Sequence, residues 1–267
     1  MKKIFALLFV AASTLSCGND DQDGIKKTSG SLELNFIHTV GSVGSNGNGG
    51  TDILQLGNTY QNSSAESYTV TELKYIISNI TLKRKDGSEF IYPIADSYFL
   101  INEAQEDSKK IILNNIDPDE YTNITFGFGV DPTKYPIESG TLNFVPTAEE
   151  ADMLWSWSAG YKFIKFEGTY TSATVTTESP FLIHVGSHGA TLDNYKEIEL
   201  SLVSDTGMNT IIEGDINAVQ SIFFDLGQVF DGPNTIRIED KTDIQVDPVN
   251  APKIVTNIQT AFYIPQG

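Results

Sequence analysis

The stretch SLELNFIHT, residues 31–39, sets Leu32, Leu34, Phe36 and His38 against Glu33, Asn35, Ile37 and Thr39 in strict alternation. Side chains alternate across a strand with a period of two, so the pattern predicts a strand with one face in a core and His38 pointing inward with the apolar residues. A Gly/Asn/Ser-rich loop, GSVGSNGNGGTD (41–52), follows, and then strand-like runs at 68–82, 98–101, 111–113 and 121–130, with KDG (85–87) as a turn between them. Thr147, three residues before Glu150, reads as a capping box and predicts one brief helix ahead of Met153. Strand character resumes at 161–167, 181–185, 195–203 and 210–218, and in IRIED (236–240) and IVTNIQTAFYI (254–264). There is no internal repeat and no second composition regime. The fold class this implies is all-β: a single antiparallel β-sandwich with Greek-key connections and at most one or two short helices.

The N-terminus, MKKIFALLFVAASTLSC, has a basic start, a short apolar run and small residues leading to Cys17. That is the pattern of a lipoprotein signal, with residues 1–16 as the removed peptide and Cys17 as the lipidated first residue. The apolar run is shorter than the ~20 residues a membrane-spanning helix needs. Residues 17–30 then read as the lipidated Cys and a flexible acidic tether, and 31–267 as the β domain. Acidic residues directly after Cys17 resemble export signals that send Gram-negative lipoproteins to the outer cell surface. The expectation is therefore an outer-membrane lipoprotein of the cell envelope, held to the membrane through its lipid anchor.

Cys17 is the only cysteine, so the domain has neither a disulfide nor a thiolate metal site. Removal of Lys2 and Lys3 with the leader leaves 15 basic residues facing 35 acidic ones, a field that repels nucleic acid. No nucleophile elbow, H-E-x-x-H motif or phosphate loop occurs, and no carboxylate pair stands out among the acidic residues, so the chain is not expected to be an enzyme.

Three histidines exist, His38, His184 and His188, the last two within FLIHVGSHG (181–189). Neutral imidazoles are good ligands for copper and zinc. His188 would lie about 13 Å from His184 on a straight strand and joins a common site only if the chain bends at Gly186. The bland alternative makes His38 a hydrogen-bonded core residue and His184 a rim residue. Trp155 and Trp157 sit two apart in MLWSWSAGYKFIKFEG (153–168). On a strand they would share a face, as a core element or as an aromatic platform for a sugar ring, which is the carbohydrate-binding alternative. Met153 is a further soft donor candidate, with core packing as its other reading. Ca²⁺ held by the Asn/Asp-rich loop at 45–52 is another alternative, though full loop spacing is absent.

The order LNFIHTVG, YTVTELKYIISNITL, YFLINEA, YTNITFGFGVD, MLWSWSAGYKFIKFEG, FLIHVG resembles the MbnP-like copper-binding family over residues 32–186. W-x-W-x-x-G-Y followed by K-x-E-G is the most specific element. The resemblance implies that one tryptophan is oxidised to kynurenine by a di-haem peroxidase-like partner of the MbnH type. The new aromatic amine then joins histidines in holding copper. Carried over by position, His38, His184 and either Trp155 or Trp157 form the implied copper set, with His188 as an additional candidate. Indole nitrogen only donates, so ring opening would supply the ligand that tryptophan lacks.

Overall fold

The computed structural model describes residues 28–41, 51–131, 144–155, 160–187, 192–214 and 217–265. Cys17 with its leader, Trp157, His188 and residues 42–50 of the first loop lie outside them. In chain order the strands are β1 (Gly30–Gly41), β2 (Thr51–Ile53), β3 (Thr59–Gln61), β4 (Ser67–Arg84), β5 (Glu89–Ile91), β6 (Tyr98–Asn102), β7 (Lys110–Ile116) and β8 (Asp119–Phe128). They continue as β9 (Lys162–Thr171), β10 (Ser179–Gly186), β11 (Lys196–Ser201), β12 (Thr210–Ile212), β13 (Asn217–Asp225), β14 (Asp243–Ile244) and β15 (Phe262–Tyr263). Three short helices join them: α1 (Phe144–Glu150), α2 (Gly227–Asp231) and α3 (Asn250–Gln259).

The all-β expectation holds, and the alternation of residues 31–39 is realised in β1, where Leu32, Leu34, Phe36 and His38 are buried. One edge of β1 pairs with β13; the other takes β7 along its first half and β2 along its last three residues. The second sheet is built on β4, an 18-residue strand that carries β9 and then β8 on one edge and β3, β6 and β5 on the other. It bends where Asn79 takes φ +51° and the register against β8 slips between Ser78 and Thr81. Asn is among the few non-glycine residues that enter the left-handed region readily. The sheets meet through aromatic rings: Phe36 of the first lies 6.2 Å from Phe126 of the second, and Phe224 lies 5.4 Å from Tyr75.

Five expectations need correction. Two pairings, β1 with β13 and β10 with β14, are parallel rather than antiparallel. The run 210–218 is not one strand, since β12 ends at Ile212 and β13 begins at Asn217. IRIED forms no strand; its inward residues Ile236 and Ile238 are buried in a turn, where Glu66 accepts the backbone N–H groups of Ile238 and Glu239. The last apolar run is mostly α3, and with it the described α-helices number three. Ala251, Ile254, Val255 and Ile258 are buried at i, i+3, i+4 and i+7, a helical face written in β-branched residues. Asp247 accepts the N–H groups of Val249 and Asn250 ahead of it, and Pro252 sits in the first turn, where its missing N–H costs nothing. The predicted helix before Met153 is α1, but Thr147 lies inside it rather than at its cap.

Candidate metal centre

His184 and His38 occupy opposite faces of the second sheet. Across β4, β9 and β10 the register aligns Tyr75, Ile164 and Val185 in one row and Lys74, Lys165 and His184 in the next. Residues directly opposite share a face and successive rows alternate. The Tyr75 row faces the core, where Tyr75 meets His38; the His184 row therefore faces away from it.

His38 is fully engaged. Its Nδ1 is hydrogen-bonded to Glu103 and its Nε2 lies 2.9 Å from the Tyr75 hydroxyl. A carboxylate only accepts, so Nδ1 carries the proton and Nε2 accepts from Tyr75. Burial pushes the His38 imidazole below its usual pKa, against the opposing pull of Glu103, so the neutral ring is the resting form. Burial likewise raises the Tyr75 phenol well above its usual range. With both nitrogens committed inside the core, the ring has no lone pair to offer a metal unless Tyr75 is displaced. The structure gives His38 the core role and does not unite it with His184.

His184 is different. Its Nε2 lies 2.6 Å from Glu167 Oε1, while Nδ1 is buried with no hydrogen-bond partner among the described residues. Burial holds its pKa down, with Glu167 pulling the other way. The neutral ring thus has Nε2–H pointing at a carboxylate and an unused Nδ1 lone pair. A carboxylate behind a histidine is the usual support of a metal-bound imidazole, and a buried lone pair with nothing to accept carries a desolvation cost. This donor fits a soft or borderline metal such as copper.

Around His184 lies a network of ion pairs. Lys165 reaches Asp152 (3.0 Å), Glu72 (3.2 Å) and Glu167 (3.4 Å), although its own side chain is 7% exposed. Lys162 also pairs with Asp152 at 3.0 Å and donates to its carbonyl at 2.9 Å, and Lys74 donates to the Ala151 carbonyl. Three lysines thus pin the turn that follows α1. Past that turn, the Met153 carbonyl accepts Lys162 N–H, Leu154 bridges Tyr161, and Trp155 N–H donates to the Gly160 carbonyl. The chain before Trp155 is laid antiparallel to the start of β9.

Trp155 is 5% exposed, so its ring offers no open face for stacking on a sugar. It packs against the backbone at Gly160 and Gly186: a Cβ added at Gly186 would come within 2.8 Å of the indole. Gly186 is two residues beyond His184, so the structure brings Trp155 and His184 to one end of β10. Met153 is buried in the hydrophobic core, the packing role rather than a donor role. Among the described residues no group of three or more His, Cys, Asp and Glu side chains has a metal-binding arrangement, so these residues supply one candidate ligand, His184, rather than a complete sphere. Sequence reading missed Glu167, Glu103 and Tyr75. Glu167 was visible in K-x-E-G, but only strand register shows that it stands beside His184.

The chain is thus a two-sheet β protein with a carboxylate-backed histidine and a buried tryptophan at one end of β10. The chain belongs to the MbnP family, whose profile matches residues 29–251. It is similar to the solved structure of MbnP from Methylosinus trichosporium, with 12% identity over 85% of this chain and 84% of that one and a TM-score of 0.46. No curated protein matches the sequence significantly.

Proposed function

We propose that the protein is a copper-binding lipoprotein of the cell envelope, serving copper acquisition or handling rather than catalysis. The observation that carries this reading is the buried, unpartnered Nδ1 of His184, oriented by Glu167, in a chain of the MbnP family. His184 is the first ligand. The second donor comes from the W-x-W segment, where oxidation of Trp155 or Trp157 to kynurenine by a di-haem partner exchanges a donor-only indole for an amine nitrogen. The place of Trp155 against Gly186 supports its end of that segment. His188, four residues after His184, is the remaining candidate; His38 is left out because both of its nitrogens are used. Copper supplies an electron-pair acceptor at His184, and the chain's part is to hold the imidazole neutral, oriented and shielded. Lipidation at Cys17 anchors the domain to the outer membrane. No described helix is long and apolar enough to span a membrane.

The test is competitive copper titration of protein from its native host, together with tandem mass spectrometry across residues 153–168. His184→Ala is expected to lower copper affinity at least about tenfold, and a kynurenine mass is expected at Trp155 or Trp157. Unchanged affinity in His184→Ala, in protein of intact β-rich circular dichroism, refutes the metal site.

A further inference from the structure

K-x-E-G, of which the copper reading uses only Glu167, lies in β9 between β10, which carries His184, and β4, a few residues past the point where the Trp155 segment meets the strand at Tyr161 and Lys162. Lys165, at its head, is opposite His184 in the register, and Glu167 stands on the same face. Gly168, its last residue, lies where any Cβ would collide with the Thr69 carbonyl of β4 and approach Phe181 of β10 to 2.9 Å. The glycine lets three strands close tightly at the point where the glutamate must reach across.

We propose that Glu167 is the positioning residue that fixes His184 as the Nε2–H tautomer with Nδ1 as the donor atom, and that Lys165 couples this histidine to the Trp155 segment through Asp152. The proposal rests on the copper reading only for what Nδ1 donates to; the tautomer itself is a property of the metal-free chain. Glu167 Oε1 can only accept at 2.6 Å from Nε2, so the proton stays on that nitrogen. Lys165 Nζ touches the same oxygen at 3.4 Å and Asp152 Oδ2 at 3.0 Å, so one ammonium holds both the carboxylate behind His184 and the turn three residues before Trp155. Asp152 has φ +56°, a left-handed conformation that an ordinary residue resists, and Lys162 adds a second grip on it. A charge-paired carboxylate between two lysines and a strained turn gives this segment a single seat. The outcome is a pre-set histidine and a pre-set aromatic at one end of β10, neither of which needs metal to be in place.

Imidazole ¹⁵N NMR of the metal-free full chain, with His184 assigned by comparison with His38→Gln and His188→Gln proteins, reads the tautomer directly. The wild type is expected to show protonated Nε2 and bare Nδ1. Glu167→Gln is expected to lose the single tautomer and to weaken copper affinity by about ten- to a hundredfold. Asp152→Asn keeps a residue suited to the left-handed turn and removes the charge; in a Trp157→Phe background it should raise acrylamide quenching of Trp155 about twofold. A wild-type His184 with the proton on Nδ1, or a Glu167→Gln protein with unchanged tautomer and affinity, overturns the role of Glu167. Unaltered quenching in Asp152→Asn overturns the coupling. If the tautomer and its response to Glu167→Gln are as expected but His184→Ala leaves copper affinity intact, the positioning stands and the copper reading fails.

Discussion

Replacing Gly186 by alanine tests the seat of Trp155 more sharply than removing the tryptophan would. A methyl group there would stand 2.7 Å and 2.8 Å from Cζ3 and Cη2 of Trp155, and nearer still to the Tyr161 carbonyl, where real Cβ atoms essentially never come within 3.0 Å. The carbonyl belongs to the chain entering β9 and cannot rotate away, so the strand or the indole must move. Forcing extra volume into a closed site costs about 1–3 kcal/mol, and a backbone obstacle puts this case at about 2–3 kcal/mol. With a urea slope of about 2–3 kcal/mol/M, the midpoint should fall by about 1 M. Trp155, isolated in a Trp157→Phe background, should shift its emission to the red as the ring is lifted toward solvent. Gly168→Ala is the control. It too meets backbone, the Thr69 carbonyl, but nowhere touches the indole, so it should destabilise by a similar amount and leave the emission unmoved. An alanine at Gly186 that changes stability by less than about 0.5 kcal/mol and leaves the spectrum untouched refutes the packing on which the site is built.

Three further outcomes are expected. His38→Leu strands the Tyr75 hydroxyl in the core, leaves Lys109 as the remaining partner of Glu103 Oε2, and should cost about 2–3 kcal/mol in urea unfolding while copper affinity stays within about twofold; a tenfold loss of affinity would return His38 to the ligand set. Both His38 and His184 have pKa values depressed below 6.5, so as pH falls through that value the unfolded chain gains protons that the native state refuses. Stability is therefore complete above about pH 6.5 and declines below it by up to about 1.4 kcal/mol per pH unit for each group; equal stability at pH 7.5 and 5.5 contradicts the neutral buried imidazoles. Glu66→Ala removes the acceptor for the Ile238 and Glu239 N–H groups and for Asn62 Nδ2, and should lower the melting temperature by about 5–10 °C. No change in a thermal scan would mean that the 236–240 turn holds itself.

Legibility in the sequence followed the reach of local physics. β1 was readable because burial on one face writes itself into alternation, and β4, β8 and β9 because β-branched and aromatic residues gather there in runs bounded by turn residues. α3 was not, because Ile254, Val255 and Ile258 have strand propensity and their helical spacing is decisive only once Asp247 caps the segment and the core receives its face. At the site, residue type alone brought forward His38, His184 and His188 with Trp155 and Trp157 and did not choose between the two tryptophans. The inward direction of His38 was correctly read from residues 31–39. What it met there depended on Tyr75 and Glu103, which lie 37 and 65 residues away in the chain.

The sequence by itself determined the all-β class, the inward face of β1, the brief helix before Met153, the exclusion of thiolate chemistry by a lone Cys17 and the family signature. Each of these follows from neighbours a few residues apart or from simple inventory. The tertiary structure decided which of His38 and His184 keeps a free nitrogen, that Glu167 stands behind it, and that Trp155 is seated on Gly186. Those are facts of strand register, in which one residue of slip turns a side chain from the core to the opposite face. Register is set by the sum of pairings along β4, β9 and β10, which no local stretch of the chain contains.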